Sequence, residues 1–64
     1  MNFEILKKQI QNANHNIIET YNYYYHYNYE KEKTYLQKSL DSAIKAREII
    51  VDIIHKLENE GKYE

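Results

Sequence analysis

The chain has 64 residues, enough for one small domain whose own core would be marginally stable. It contains no cysteine, which excludes disulfides and thiolate metal sites, so we expect oligomerisation to supply the missing stability. Nine basic and ten acidic residues are interleaved and give a net charge of −1, a pattern that disfavours a nucleic-acid binder with a clustered basic face.

The first predicted element is an amphipathic helix over about residues 2–27. Asn2 is its expected N-cap, and Glu4 carries a favourable charge in the first turn. The pattern rests on a heptad seam with spacings of three and four: Phe3, Leu6, Ile10, Ala13, Ile17, Thr20, Tyr24 and Tyr27. Tyrosine also occupies every odd position from 21 to 29, which suggests a strand as an alternative; we favour the helix because no second strand is available for pairing.

A break in the heptad pattern predicts a turn within residues 28–34. Continuing the first seam would place Lys31 and Lys38 in the core, whereas a second seam restarts at Leu36. Asn28 is the best left-handed terminator for the first helix, and Thr34 with Gln37 resembles a capping box for the second. An earlier start of the second helix, capped by Asn28, is the alternative.

The second predicted helix covers about residues 35–60, with Gly61 at its C′ position and a frayed tail over 61–64. Its seam consists of Leu36, Leu40, Ala43, Arg47, Ile50, Ile54 and Leu57. Further apolar residues widen this stripe to more than half of the circumference, which one neighbouring helix cannot cover. We therefore predict an all-α antiparallel hairpin that dimerises into a four-helix bundle with coiled-coil-like packing.

Four residues of the second helix are candidates for the surface between subunits: Arg47, Ile49, Ile53 and Leu57. Arg47 is open to two interpretations. Its stem can pack while its guanidinium reaches water, or it can set the register of the dimer by pairing with a polar group such as Asn14 or Thr20 of the other copy.

Few residues have the spacing of a catalytic or metal-binding site. His15 with Glu19, and Asp52 with His55, have spacings that resemble metal ligands on helices, but the helical wheel places them away from the apolar stripe. We expect ordinary surface pairs, no metal, no cofactor and no enzymatic activity. Gly61 is the only glycine, so there is no glycine-rich phosphate loop.

The tyrosine cluster is the strongest candidate for a binding site. Tyr23, Tyr25, His26 and Tyr29 are predicted to form a weakly charged aromatic surface near the hairpin tip, of the kind that supplies binding hot spots. We therefore expect a small regulatory or inhibitory protein that binds another protein. A structural self-assembling subunit is one alternative.

In length and helical-hairpin architecture the chain resembles the Rop-type plasmid regulators, which dimerise and bind RNA hairpins. This resemblance implies RNA or nucleotide binding as a further alternative. Ile, Asn, Lys and Tyr make up half of the sequence and have AT-rich codons, which suggests a low-GC bacterium or its phage. No apolar run approaches ~18 residues, so we expect no membrane contact and a location in the cytoplasm of a bacterial or virus-infected cell.

Overall fold

The computed structural model describes residues 3–62 and shows two helices packed side by side. Helix α1 covers Phe3–Glu30 and helix α2 covers Lys33–Lys62, so the predicted all-α helical hairpin is confirmed. The tyrosine run lies within α1, and the strand interpretation is therefore wrong. The predicted cap at Asn2 lies outside the described residues, as does the end of the tail, residues 63–64.

The turn is shorter than expected, because α1 continues to Glu30. Lys31, not Asn28, adopts the left-handed conformation, with φ of 57°. Its backbone N–H donates a hydrogen bond of 2.7 Å to the carbonyl oxygen of Tyr27, which is the bond of an αL C-cap. The chain then needs only Glu32 before α2 begins, and the N–H of Tyr35 donates to the Glu32 carbonyl at 3.1 Å.

The start and end of α2 also differ from the sequence prediction. Thr34 lies inside α2, and the Gln37 side-chain amide donates a hydrogen bond of 2.9 Å to Asp41. Gly61 is helical and does not have a positive φ, because α2 continues through it to Lys62. Asn28, Thr34 and Gly61 therefore lie inside helices, and none of these predicted capping residues marks a helix end among residues 3–62.

A seam that combines small, polar and large apolar side chains joins the two helices. Its shielded residues recur at spacings of three and four on each helix, which is the pattern of coiled-coil packing. The seam consists of Leu6, Gln9, Ala13, Asn16, Thr20, Tyr23 and Tyr27 on α1, and of Tyr35, Ser39, Ser42, Ala46, Ile49, Ile53 and Lys56 on α2. Ala13 and Ala46, each 4% exposed, are its most shielded apolar members.

Polar contacts cross the seam near both of its ends. Near the turn, the Ser39 hydroxyl donates to the backbone carbonyl of Thr20 at 2.8 Å. At the other end, the Gln9 amide donates to Asp52 at 2.6 Å while its oxygen accepts from the Lys56 ammonium at 2.7 Å. Later residues of α1 contact earlier residues of α2, as expected for two antiparallel helices.

Candidate interaction surfaces

The hairpin leaves a broad apolar surface exposed, which we call the apolar face. Its large apolar members are between 38% and 72% exposed. The apolar face consists of Phe3, Ile10, Ile17 and Tyr24 from α1 and Leu36, Leu40, Ala43, Arg47, Ile50, Ile54 and Leu57 from α2. It contains every residue of the seam predicted for the second helix and half of the seam predicted for the first.

The predicted seams therefore differ from the contact that closes the hairpin. Leu6, Ala13, Thr20 and Tyr27 do face α2 as expected, but on α2 the contact uses the residues one position before the predicted set. Two adjacent stripes run along each helix, and the hairpin uses the stripe with alanine and serine. Small side chains let the helices approach closely and leave the larger ones beside the contact.

The parts of the apolar face that come from α1 and α2 lie on one side of the hairpin. A groove of about 370 Å³ runs between the helices there, bordered by Ile17 and Thr20 of α1 and by Ala43, Arg47 and Ile50 of α2. A smaller hollow of about 210 Å³ lies between Phe3, Leu6 and Ile10. Arg47 is the one charged member of the apolar face and lies halfway along α2.

The structure divides the four candidate residues for the subunit interface. Ile53 is 9% exposed and Ile49 is half-buried, because both belong to the seam that closes the hairpin. These two residues lie on the stripe of α2 that faces α1, and their role between subunits stays a prediction. Arg47 and Leu57 lie on the exposed apolar face and stay candidates.

Three tyrosines form a row along the outer side of α1, which we call the tyrosine ladder: Tyr21, Tyr25 and Tyr29. They are 68%, 50% and 69% exposed. The ring centroids of Tyr21 and Tyr25 are 6.4 Å apart, and those of Tyr25 and Tyr29 are 4.7 Å apart. Residues four apart lie one above the other on a helix, so each ring supports the next. Ile18 extends this row toward the N-terminus and is exposed.

The structure brings together three of the four residues predicted for the aromatic surface. Tyr25 and Tyr29 belong to the ladder, and the His26 ring meets Tyr25 edge-on at 6.1 Å. His26 also stacks on Tyr35 of α2 at 5.4 Å and so connects the ladder to the second helix. Tyr23, which we expected to point away from the core, is half-buried in the seam beneath the Lys38 ammonium.

The sequence analysis missed Tyr21 as a member of this surface and assigned Tyr24 to the core. The spacing of 21, 25 and 29 was a usable signal, since it is the helical i,i+4 repeat. Tyr24 is 54% exposed, because it lies on the apolar face, and its ring is 6.1 Å from that of Tyr27.

The side of the hairpin opposite the apolar face is polar. His15 contacts Glu19 at 3.0 Å, as predicted, whereas the ion pair of Asp52 is with Lys56, at 3.1 Å, and not with His55. The hydrogen bond from Gln9, and then the one from Lys56, lowers the pKa of Asp52 below its ordinary value of 3.8. Among residues 3–62, no group of three or more His, Cys, Asp or Glu side chains could hold a metal ion.

Comparison with known proteins identifies no relative, since no family model, curated protein or solved structure matches the chain. Neither described helix is long and apolar enough to cross a bilayer.

Proposed function

We propose that this chain is a small, non-enzymatic regulatory or inhibitory protein that acts in the cytoplasm by binding another protein through the tyrosine ladder. The observation that carries the proposal is the exposure of three mutually supporting tyrosine rings on the side of α1 turned away from α2. Tyrosine supplies a large contact area with few rotatable bonds, so little conformational entropy is lost when a partner covers it.

The surroundings of the ladder indicate the chemistry of the partner. Between Gln9 and Tyr29 the only formally charged residue is Glu19, which is held by His15 on the polar side. Tyr21 and Tyr25 therefore offer apolar ring faces and hydroxyl groups with little charge beside them, and charged residues begin only after Tyr29, at Glu30. A complementary protein surface would present apolar groups and hydrogen-bonding groups and would itself be weakly charged.

Comparative affinity purification from extracts of the native host tests this proposal. The wild-type chain is compared with the double variant Tyr25→Ala/Tyr29→Ala and with a control, Lys45→Ala, at an exposed position of α2. We expect one protein to be retained by the wild type and the control and lost by the double variant. With that protein purified, the double variant should weaken binding at least tenfold, as expected when hot-spot residues are truncated.

The phenylalanine variant Tyr25→Phe/Tyr29→Phe separates ring area from hydroxyl contacts, because it keeps the rings and removes two hydrogen-bonding groups. Equal retention of every protein by the wild type and the alanine variant would refute the role of the ladder. Retention of an RNA, with affinity falling steeply as salt is added, would replace the proposal with the RNA-binding alternative.

A further inference from the structure

We propose that a second copy of this chain covers the apolar face, so that two hairpins form a four-helix bundle with their apolar faces in its centre. The inference concerns a different surface from the tyrosine ladder and does not depend on the proposed function.

One hairpin leaves more surface exposed than a compact monomer of its size. The chain exposes 5253 Å², whereas a compact monomer of 7.9 kDa is expected to expose about 4,400 Å². The excess, about 800 Å², is close to the ~800 Å² that each partner contributes to a stable interface of standard size. The radius of gyration, 15.0 Å, likewise exceeds the ~11 Å expected for 64 compact residues.

The described part of one hairpin buries few apolar side chains. Within residues 3–62, the buried apolar residues are Ala13, Ala46 and Ile53, and no large side chain is less than 2% exposed. Half of the isoleucine, leucine and valine side chains in this range instead lie on the apolar face. A chain of this size needs more apolar burial than three such residues provide, so the face has to be covered for the fold to be stable.

The apolar face has a shape suited to packing against the same face of a second copy. It follows both helices over their length, and its heptad spacing suits helix packing at a shallow crossing angle. The molecule measures 51 × 16 × 11 Å, a single layer of two helices, and a second layer on one side gives four helices around a common centre. The polar contacts of Gln9, Asp52 and Lys56 remain in water on the opposite side.

Arg47 has a defined place in this assembly. Its groove neighbours Ile17 and Ile50 would lie at mid-height of the bundle, so its charge would be partly removed from water by the second copy. Removing an unpaired charge from water costs free energy and so weakens association. A leucine at this position would avoid that cost.

Sedimentation equilibrium from 1 to 100 µM, with the melting midpoint measured at each concentration, tests the proposal. The wild type should have twice the 7.9 kDa mass of the chain, and its melting midpoint should rise with concentration, because association stabilises the folded state. Ile17→Lys and Ile54→Lys should raise the dissociation constant at least 100-fold. Arg47→Leu should lower it at least threefold.

Matched controls carry the same added positive charge on the polar side: Asn12→Lys on α1 and His55→Lys on α2, both at exposed positions. These should stay within threefold of the wild type. A monomeric wild type, folded or unfolded, would overturn the proposal, and so would trimers or filaments. Equal effects of the apolar-face variants and the controls would also overturn it, as would an Arg47→Leu variant that associates no more tightly than the wild type.

Discussion

The Ser39 hydroxyl donates a 2.8 Å hydrogen bond to the backbone carbonyl of Thr20, and this contact crosses the seam between the two helices. Ser39 is 6% exposed, so the bond is made away from water. The contact favours the observed register of the hairpin because it joins one side chain of α2 to one backbone position of α1.

Removal of this contact should weaken the fold by a small, measurable amount. We expect Ser39→Ala to lower the free energy of unfolding by about 1 kcal/mol, the usual net value of a buried hydrogen bond. Ser42→Ala is the matched control, since Ser42 is also 6% exposed and makes no such contact with α1 in the described part of the chain. Urea titrations at one protein concentration measure both; equal losses would contradict the role of the bond.

The left-handed residue of the turn offers a stabilising substitution. Lys31→Gly should raise the free energy of unfolding by about 0.5 to 1 kcal/mol, because glycine adopts positive φ without the Cβ clash that lysine has. Lys31→Ala keeps that clash and removes the ammonium that lies 5.7 Å from the centroid of the Tyr27 ring. It should therefore be no more stable than the wild type, and a gain in Lys31→Ala equal to that of the glycine variant would refute the explanation.

The alanines of the seam test which stripe closes the hairpin. Ala46→Leu should destabilise the fold by about 1 to 3 kcal/mol, because a larger side chain forces the helices apart where Ala46 is now 4% exposed. Lys45→Leu introduces the same residue at the neighbouring exposed position and should have little effect. Thermal unfolding followed by circular dichroism compares them. Tolerance of Ala46→Leu would indicate that Leu36, Leu40 and their heptad partners close the hairpin instead.

The carboxylate of Asp52 should make stability depend on pH. Its pKa is lowered in the folded chain by Gln9 and then by Lys56, so its contribution is present above the ordinary pKa of 3.8 and is lost as pH falls through that value toward the lowered one. Asp52→Asn should be less stable than the wild type at pH 7, and the difference should shrink at pH 3. Denaturant titrations at both pH values measure it; a difference that is the same at both would contradict the assignment.

Hydrophobic periodicity determined the secondary structure and fold class. The heptad break between Tyr27 and Leu36 correctly indicated two helices, and the breadth of the apolar stripe on the second correctly indicated more apolar surface than one neighbour covers. The helical repeat of the tyrosines would also have defined the ladder. The predicted window of residues 28–34 contains the observed turn, but Lys31 was not predicted as its left-handed residue, because neither glycine nor proline marks a position there.

The sequence by itself determined that there are two amphipathic helices and that the apolar stripe of the second is broader than one neighbouring helix can cover. Only the tertiary structure decided which stripe joins them, and it selected the one with Ala13, Ala46 and the serines. The physical reason is that burial energy favours both stripes, whereas close approach of two backbones favours small side chains, and that preference acts only once the helices are in contact. Ile53 therefore lies in the seam that closes the hairpin and Leu57 on the exposed apolar face, although both are large aliphatic residues.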